Sequence, residues 1–297
     1  DGSFLRLSPT IVAVTNLDRE HLDHYGSMER INDSFLEFIN KIPFYGVAVL
    51  CADDDRLAAL FPRLVKRYHT YGLRDRDGVA PDFKATDVSL KQWSAEFRAH
   101  FRGKNLGPFR LAVPGIHNVS NALVAIAIGI ELEIPVDLIR KGLAAFTGVE
   151  RRFHLRGEAG GIMVVDDYGH HPTEVKATLA AAKQGWDRRL VVLFQPHRYS
   201  RTRDCIGEFA DAFAHADVLF MTEIYPAGES PIPGVSGAAL AETIKSAGHS
   251  SVTFLEHKET LPDQVLPHLR PGDLVLTLGA GDIWKAGTEI LARLESV

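Results

Sequence analysis

Only two of the 297 residues are cysteine, and Cys51 and Cys205 have no C-x-x-C partner. That disfavours a disulfide framework or a zinc ribbon and makes a reducing cytoplasm the expected setting. No long apolar run of membrane-spanning length is present. Positive charge is in deficit: 33 Lys and Arg against 38 Asp and Glu give a formal net charge of −5. A dedicated nucleic-acid or membrane-surface binder would carry a basic face instead. A Walker A loop (G-x-x-x-x-G-K-[ST]), an H-E-x-x-H zinc helix and a G-x-S-x-G elbow are all missing. The opening residues lack a signal-peptide pattern and an initiator Met, so the chain is expected to start inside a longer one.

What is present is ordinary globular composition, 45% hydrophobic and 24% charged. The length suggests about two domains. In the first half, IVAVT (11–15) and GVAVLC (46–51) read as buried strands. Residues 28–42 carry helical spacing, and a short helix is expected near 57–64. Alternation and turn residues over 67–114 predict antiparallel strands. NALVAIAIGIEL (121–132) and 136–146 read as helices. From Ile162 onward five apolar strands alternate with helices near 172–184, 204–215, 236–247, 260–268 and 283–295. That pattern predicts a doubly wound, mostly parallel sheet. The boundary falls near 147–152, giving domains 1–148 and 149–297.

Ligands in such sheets bind at the carboxyl ends of the strands. Those ends carry the unusual chemistry. DDYGHHPTE (166–174) sets two acids, Tyr168, His170 and His171 around a glycine turn. QPHRYSRTRD (195–204) places His197, Arg198 and Arg201 at the next strand end. Two guanidiniums on one side of a helical turn suit a carboxylate or phosphate, and cations at a helix start otherwise oppose its dipole. LGAGDIW (278–284) offers either an anion-binding turn or simply a tight turn. In the first half, TNLDREHLDHY (15–25) supplies Asp18, Glu20, His21, Asp23 and His24, a cation-binding set or a polar helix cap. GIHNVSNA (115–122) places Asn118 and Asn121 on one helical face, suited to an adenine edge; capping by Asn118 is the competing reading. GVERRF (148–153) puts Arg151 and Arg152 at the boundary, where one could reach a phosphate.

Together, TNLDREHLDHYG, GIHNVSNA, GVERRF, DDYGHHPTE, FQPHRYSRTRD, EIYPAGESPIPG and LGAGDIW resemble the Mur ligase family, and within it the L-alanine-adding branch. The resemblance implies a partial central ATP-binding domain, its P-loop portion missing, followed by a Rossmann-like amino-acid-binding domain. It implies ATP-dependent joining of L-alanine to UDP-N-acetylmuramate through an acyl phosphate, with Mg2+, in cytoplasmic cell-wall biogenesis. His21 matches a magnesium ligand. Asn118 and Asn121 match an adenine-contacting pair, Arg152 a phosphate-reaching arginine and Asp167 an acid near the ribose. Tyr168, His170, Arg198 and Arg201 match residues around the incoming amino acid. Without a P-loop this chain alone is expected not to turn over. A muropeptide-recycling ligase and a non-catalytic binding module are the alternatives.

Overall fold

Continuous apolar runs fix the parallel half of the first sheet. The computed structural model describes residues 2–296, and two units, Asp1–Thr147 and Gly148–Val297, each hold their own sheet. In the first unit the strands are β1 (Ile11–Val14), β2 (Val47–Cys51), β3 (Tyr68–Gly72), β4 (Phe83–Lys91), β5 (Ser94–Phe101) and β6 (Lys104–Leu111), ordered as numbered. Every residue of β2 is buried, as VAVLC requires when both faces are covered. The residues 67–114 are antiparallel only from β4 to β6; β3 runs parallel to both β2 and β4. Alternation records which face is buried and not the direction of a strand, so the sequence could not separate the two. The Asp82 carboxylate ties the parallel return, accepting from the Thr70 backbone N–H at 3.0 Å.

Helices flank this sheet. Residues Leu22–Tyr25 form α1, and Ser27 caps α2 (Met28–Asn40) by accepting from the Arg30 N–H. Asp54 caps the short α3 (Asp55–Ala58) in the same way. The apolar α4 (Ile116–Glu131) packs Val119, Leu123 and Ile126 into the core, and α5 (Val136–Ala145) lies against it. It begins five residues before Asn121, right after Gly115, whose φ of 92° suits glycine.

The second unit has β7 (His154–Ala159), β8 (Ile162–Asp167), β9 (Arg189–Phe194), β10 (Val218–Thr222), β11 (Val252–Leu255) and β12 (Asp273–Leu278). Their order is β11-β10-β9-β12-β8-β7, and all pairs are parallel except the β7–β8 hairpin. The polar edge strand β7 carried no apolar signal and was not anticipated. The helices are α6 (Pro172–Gly185), α7 (Tyr199–Asp204), α8 (Ile206–Phe209), α9 (Gly237–Ser246), α10 (Leu261–Val265) and α11 (Trp284–Glu295). Alternate residues of each strand point to opposite faces. Val191, Leu193 and Val275 pack with Leu261, Val265 and Ile290, so α10 and α11 cover one face. Phe194 meets Phe209 and Phe213, so the α7–α8 segment covers the other. The single helix expected over 204–215 starts instead at Tyr199 and breaks at Cys205, whose φ of −111° and ψ of 14° leave the helical region. Crossovers on opposite faces leave a crevice at the carboxyl ends of β8, β12 and β9.

Candidate functional site

That crevice is framed by two buried acids ending β8. Asp166 accepts from Thr277 Oγ1 at 2.7 Å and from Arg151 Nε at 3.0 Å. The same guanidinium donates to the Gly279 carbonyl at 2.7 Å, so Arg151 joins the ends of β8 and β12. Asp167 accepts one backbone N–H on each oxygen, from Phe153 and from Gly169, both at 2.7 Å. Burial pushes its pKa up to about 6, outweighing those hydrogen bonds. These bonds tie the 151–153 segment and the Gly169 turn to the strand end.

The turn beyond it carries Tyr168 and His170. A Cβ on Gly169 would lie 2.8 Å from Asp167 Oδ1, so only glycine lets this turn close. His170 Nδ1 donates to the Tyr168 carbonyl at 2.9 Å, and the two rings meet edge to face at 5.4 Å. Glu174 accepts from the His170 N–H at 3.0 Å and from Arg152 Nη1 at 3.2 Å. Arg152 also lies 5.6 Å above the Tyr168 ring. Its neighbour Arg151 lies 5.0 Å from that ring, so both arginines flank Tyr168. His171 caps α6, and its Nε2 lies 3.7 Å from the buried Cys205 thiol.

The loops after β9 and β10 are sewn together by backbone. Tyr225 N–H donates to the Pro196 carbonyl at 2.8 Å, and Arg198 N–H to the Tyr225 carbonyl at 2.9 Å. The His197 and Tyr225 rings stack with centroids 5.5 Å apart and an 8° interplanar angle. His170 approaches His197 at 5.3 Å. Arg201 folds back to donate to His197 Nδ1 and to its carbonyl, both at 3.2 Å. Arg198, with φ of 70°, faces Glu229 at 3.7 Å, and Ser200 Oγ donates to that carboxylate at 2.6 Å. Arg198 is the N-cap of α7 with a positive φ and not part of its first turn, so helical spacing does not set how the two arginines relate. Burial, with the nearby charges of His170, Arg201 and Arg198, lowers the His197 pKa to about 4.

The glycines of LGAGDIW serve close packing. A Cβ on Gly279 would meet the Gln195 carbonyl at 2.8 Å, and one on Gly281 would meet Gln195 Oε1 at 2.4 Å. Gln195, Tyr225 and Glu229 complete the cluster with His197 and Arg151, although spacing alone did not single out those three. The signal available was their place at strand ends, which only the strand order turns into neighbourhood.

In the first unit, Asn118 Nδ2 donates to the Pro114 carbonyl at 2.7 Å and Asn121 Nδ2 reaches Asn118 Oδ1 at 3.5 Å. The pair shares one face of α4. Gly115 is the N-cap, which corrects the capping reading of Asn118. Each carboxamide has a second N–H, and Asn121 keeps its acceptor, so the donor set fits an adenine edge. In the 15–25 segment, several of the polar groups are engaged by neighbours. Asp18 is bonded to Arg56 at 2.9 Å, and His24 Nε2 accepts from the Gly2 N–H at 2.9 Å. The Asp23 side chain lies outside the described residues. Among the described residues no three His, Cys, Asp or Glu side chains gather as a metal site. His21, at the exposed start of α1 with φ of 56°, offers one ligand and not a cage. No helix among the described residues is long and apolar enough to cross a membrane.

The family model of the Mur ligase middle domain matches residues 2–129, and that of the Mur ligase glutamate ligase domain matches residues 151–281. The chain is 55% identical over 297 residues to UDP-N-acetylmuramate–L-alanine ligase of Geobacter sp. (strain M21), covering 100% of this chain and 64% of that protein. It is 51% identical to the enzyme of that name in Myxococcus xanthus, covering 100% and 62%. Among solved structures, UDP-N-acetylmuramate–alanine ligase of Thermotoga maritima superposes with a TM-score of 0.79 at 28% identity, over 100% of this chain and 62% of that one. A murein peptide ligase of Psychrobacter arcticus gives 0.68 at 25%, over 99% and 59%. The chain thus spans about 64% of the length of the Geobacter relative.

Proposed function

The chain belongs to the Mur ligase family, and on that premise we propose that it serves ATP-dependent ligation of L-alanine to UDP-N-acetylmuramate. The reaction is cytoplasmic and belongs to peptidoglycan synthesis. The carbohydrate carboxylate is activated as an acyl phosphate and attacked by the amine of L-alanine. The observation that carries the reading is the cluster at the ends of β8, β9 and β10. Tyr168, His170, His197 and Arg201 form a continuous chain of contacts there, with Arg198 beside them.

Roles follow from the chemistry available. Arg198 and Arg201 hold the carboxylate of L-alanine, and Tyr168 and His170 border the amide being formed. Catalysis then rests on positioning the amine and stabilising charge. Asn118 and Asn121 hold the adenine of ATP, and Arg152 reaches its phosphates. His21 furnishes one ligand to Mg2+, an ion that ordinarily keeps waters and phosphate oxygens as its other ligands. Magnesium, when bound, neutralises phosphate charge; the described residues form no complete site for it, and no step here depends on its position. The L-alanine reading is favoured over the peptide-adding one by the higher TM-score and identity of the alanine-adding structure. Calorimetry of the chain with L-alanine tests it, with Arg201→Gln as control. Saturable heat with L-alanine, lost in the variant, is expected; binding of a tripeptide but not of L-alanine reverses the choice.

A further inference from the structure

We propose that His197 is held as a neutral hydrogen-bond donor that reads the substrate carboxylate through Nε2, and that it does not accept a proton in the reaction. The proposal rests on the amino-acid site assigned above and adds a third donor to its two arginines.

The tautomer follows from the partners. A guanidinium has donors only, so the Arg201 Nη1 contact at 3.2 Å requires the lone pair of His197 Nδ1. In a neutral ring the single proton then sits on Nε2. The ring plane is fixed as well: the stack on Tyr225 is nearly parallel, and the backbone bridge between His197 and Tyr225 holds the two loops in register. Nε2 is not among the buried polar atoms that lack a partner, and no protein acceptor for it is found among the described residues. The groups facing the ring are His170, Arg201, Arg198, Glu229 and Tyr225. Three of these are cationic or can become so and one is anionic, so a second proton on His197 is opposed. A ring that stays neutral beside two guanidiniums adds a directional donor without adding a charge that must be desolvated.

The test has two arms on the full chain. In the first, 15N-histidine NMR is recorded from about pH 5 to about pH 8, the usual range of histidine titration. The His197 signal is assigned by its disappearance in His197→Phe. An Nε2–H tautomer that stays neutral across this range is expected. An Nδ1–H tautomer, or titration near the ordinary imidazole value, overturns the proposal. The second arm compares L-alanine with L-alaninamide, which lacks the carboxylate, in wild type and His197→Phe. Phenylalanine keeps the stack on Tyr225 but has no N–H. L-alanine affinity should fall roughly tenfold or more, as for loss of a hydrogen bond to a charged group, while alaninamide affinity is unchanged. Equal losses for both ligands show a merely structural ring and overturn the carboxylate contact. Failure of wild type to bind L-alanine sinks the assigned function and that contact together, and the NMR arm still decides the donor state by itself.

Discussion

Gly281 and Gln195 approach so closely that a Cβ on Gly281 would lie 2.4 Å from Gln195 Oε1, with the Tyr225 ring at 2.9 Å on the same side. The turn after β12 thereby packs onto the ends of β9 and β10 without an intervening side chain. Gly281→Ala must displace either the buried amide or the ring. It should lower stability by about 1–3 kcal/mol, the usual cost of overpacking, and weaken L-alanine binding through the displaced Tyr225. Thermal unfolding and calorimetry read the two effects. An unaltered melting temperature contradicts the packing account.

Tyr225 acts on the site through His197. Tyr225→Phe preserves the stack and should leave L-alanine affinity near that of wild type. Tyr225→Leu removes an aromatic pair whose interaction is worth about 0.5–1.5 kcal/mol beyond burial. It should reduce affinity severalfold because the His197 ring is no longer held. Equal affinities for the Phe and Leu variants argue that the loop backbone alone orients His197.

Arg151 compensates a fully buried acid. Its guanidinium bonds Asp166, whose side chain is only 1% exposed, at 3.0 Å. Arg151→Met strands that carboxylate and should destabilise the chain by about 3–5 kcal/mol, as expected for one broken partner of a buried pair. Adding Asp166→Asn should recover a large part of the loss. A double variant as unstable as the sum of the singles shows that the two residues act independently.

Asp167 gives a pH signature of a particular sign. Its folded pKa of about 6 stands above the ordinary 3.8, chiefly because burial penalises the charged form. The folded state therefore holds the proton more tightly than the unfolded state. The stability that proton brings is fully present below the unfolded pKa and is lost as pH rises through the folded value. In Asp167→Asn this titration is absent. The stability of wild type relative to the variant should fall between about pH 4 and about pH 6, by at most about 3 kcal/mol, and then level off. Urea unfolding across that interval measures it; a difference that grows with pH rules the raised pKa out.

The alternation of apolar strands and helices from Ile162 onward was enough to establish a doubly wound sheet, because burial of both faces forces runs such as IMVV and LVVLF. The acids, imidazoles and arginines at strand ends were legible for the same reason. Their motifs follow directly on those runs, and strand ends are where this fold binds ligands. The Asn118 and Asn121 face was also legible, since helical spacing puts residues three apart side by side. The sequence did not show which of these groups would be turned inward. At Asp167, backbone N–H groups of Phe153 and Gly169, one of them fourteen residues away, each bond one oxygen of the buried carboxylate.

By itself, then, the sequence determined most of the elements, the fold class and the inventory of reactive side chains, because periodicity, caps and turns are local properties; the polar edge strand β7 and the break at Cys205 were beyond it. Tertiary structure alone decided the neighbourhoods. The β9–β12–β8 order brings Arg151 beside Gly279, 128 residues on in the chain, and the β9–β10 pairing brings Tyr225 onto His197. It also set the direction of β3 and the packing role of the glycine turn. Each depends on distance and burial between segments remote in sequence, and no local pattern encodes those.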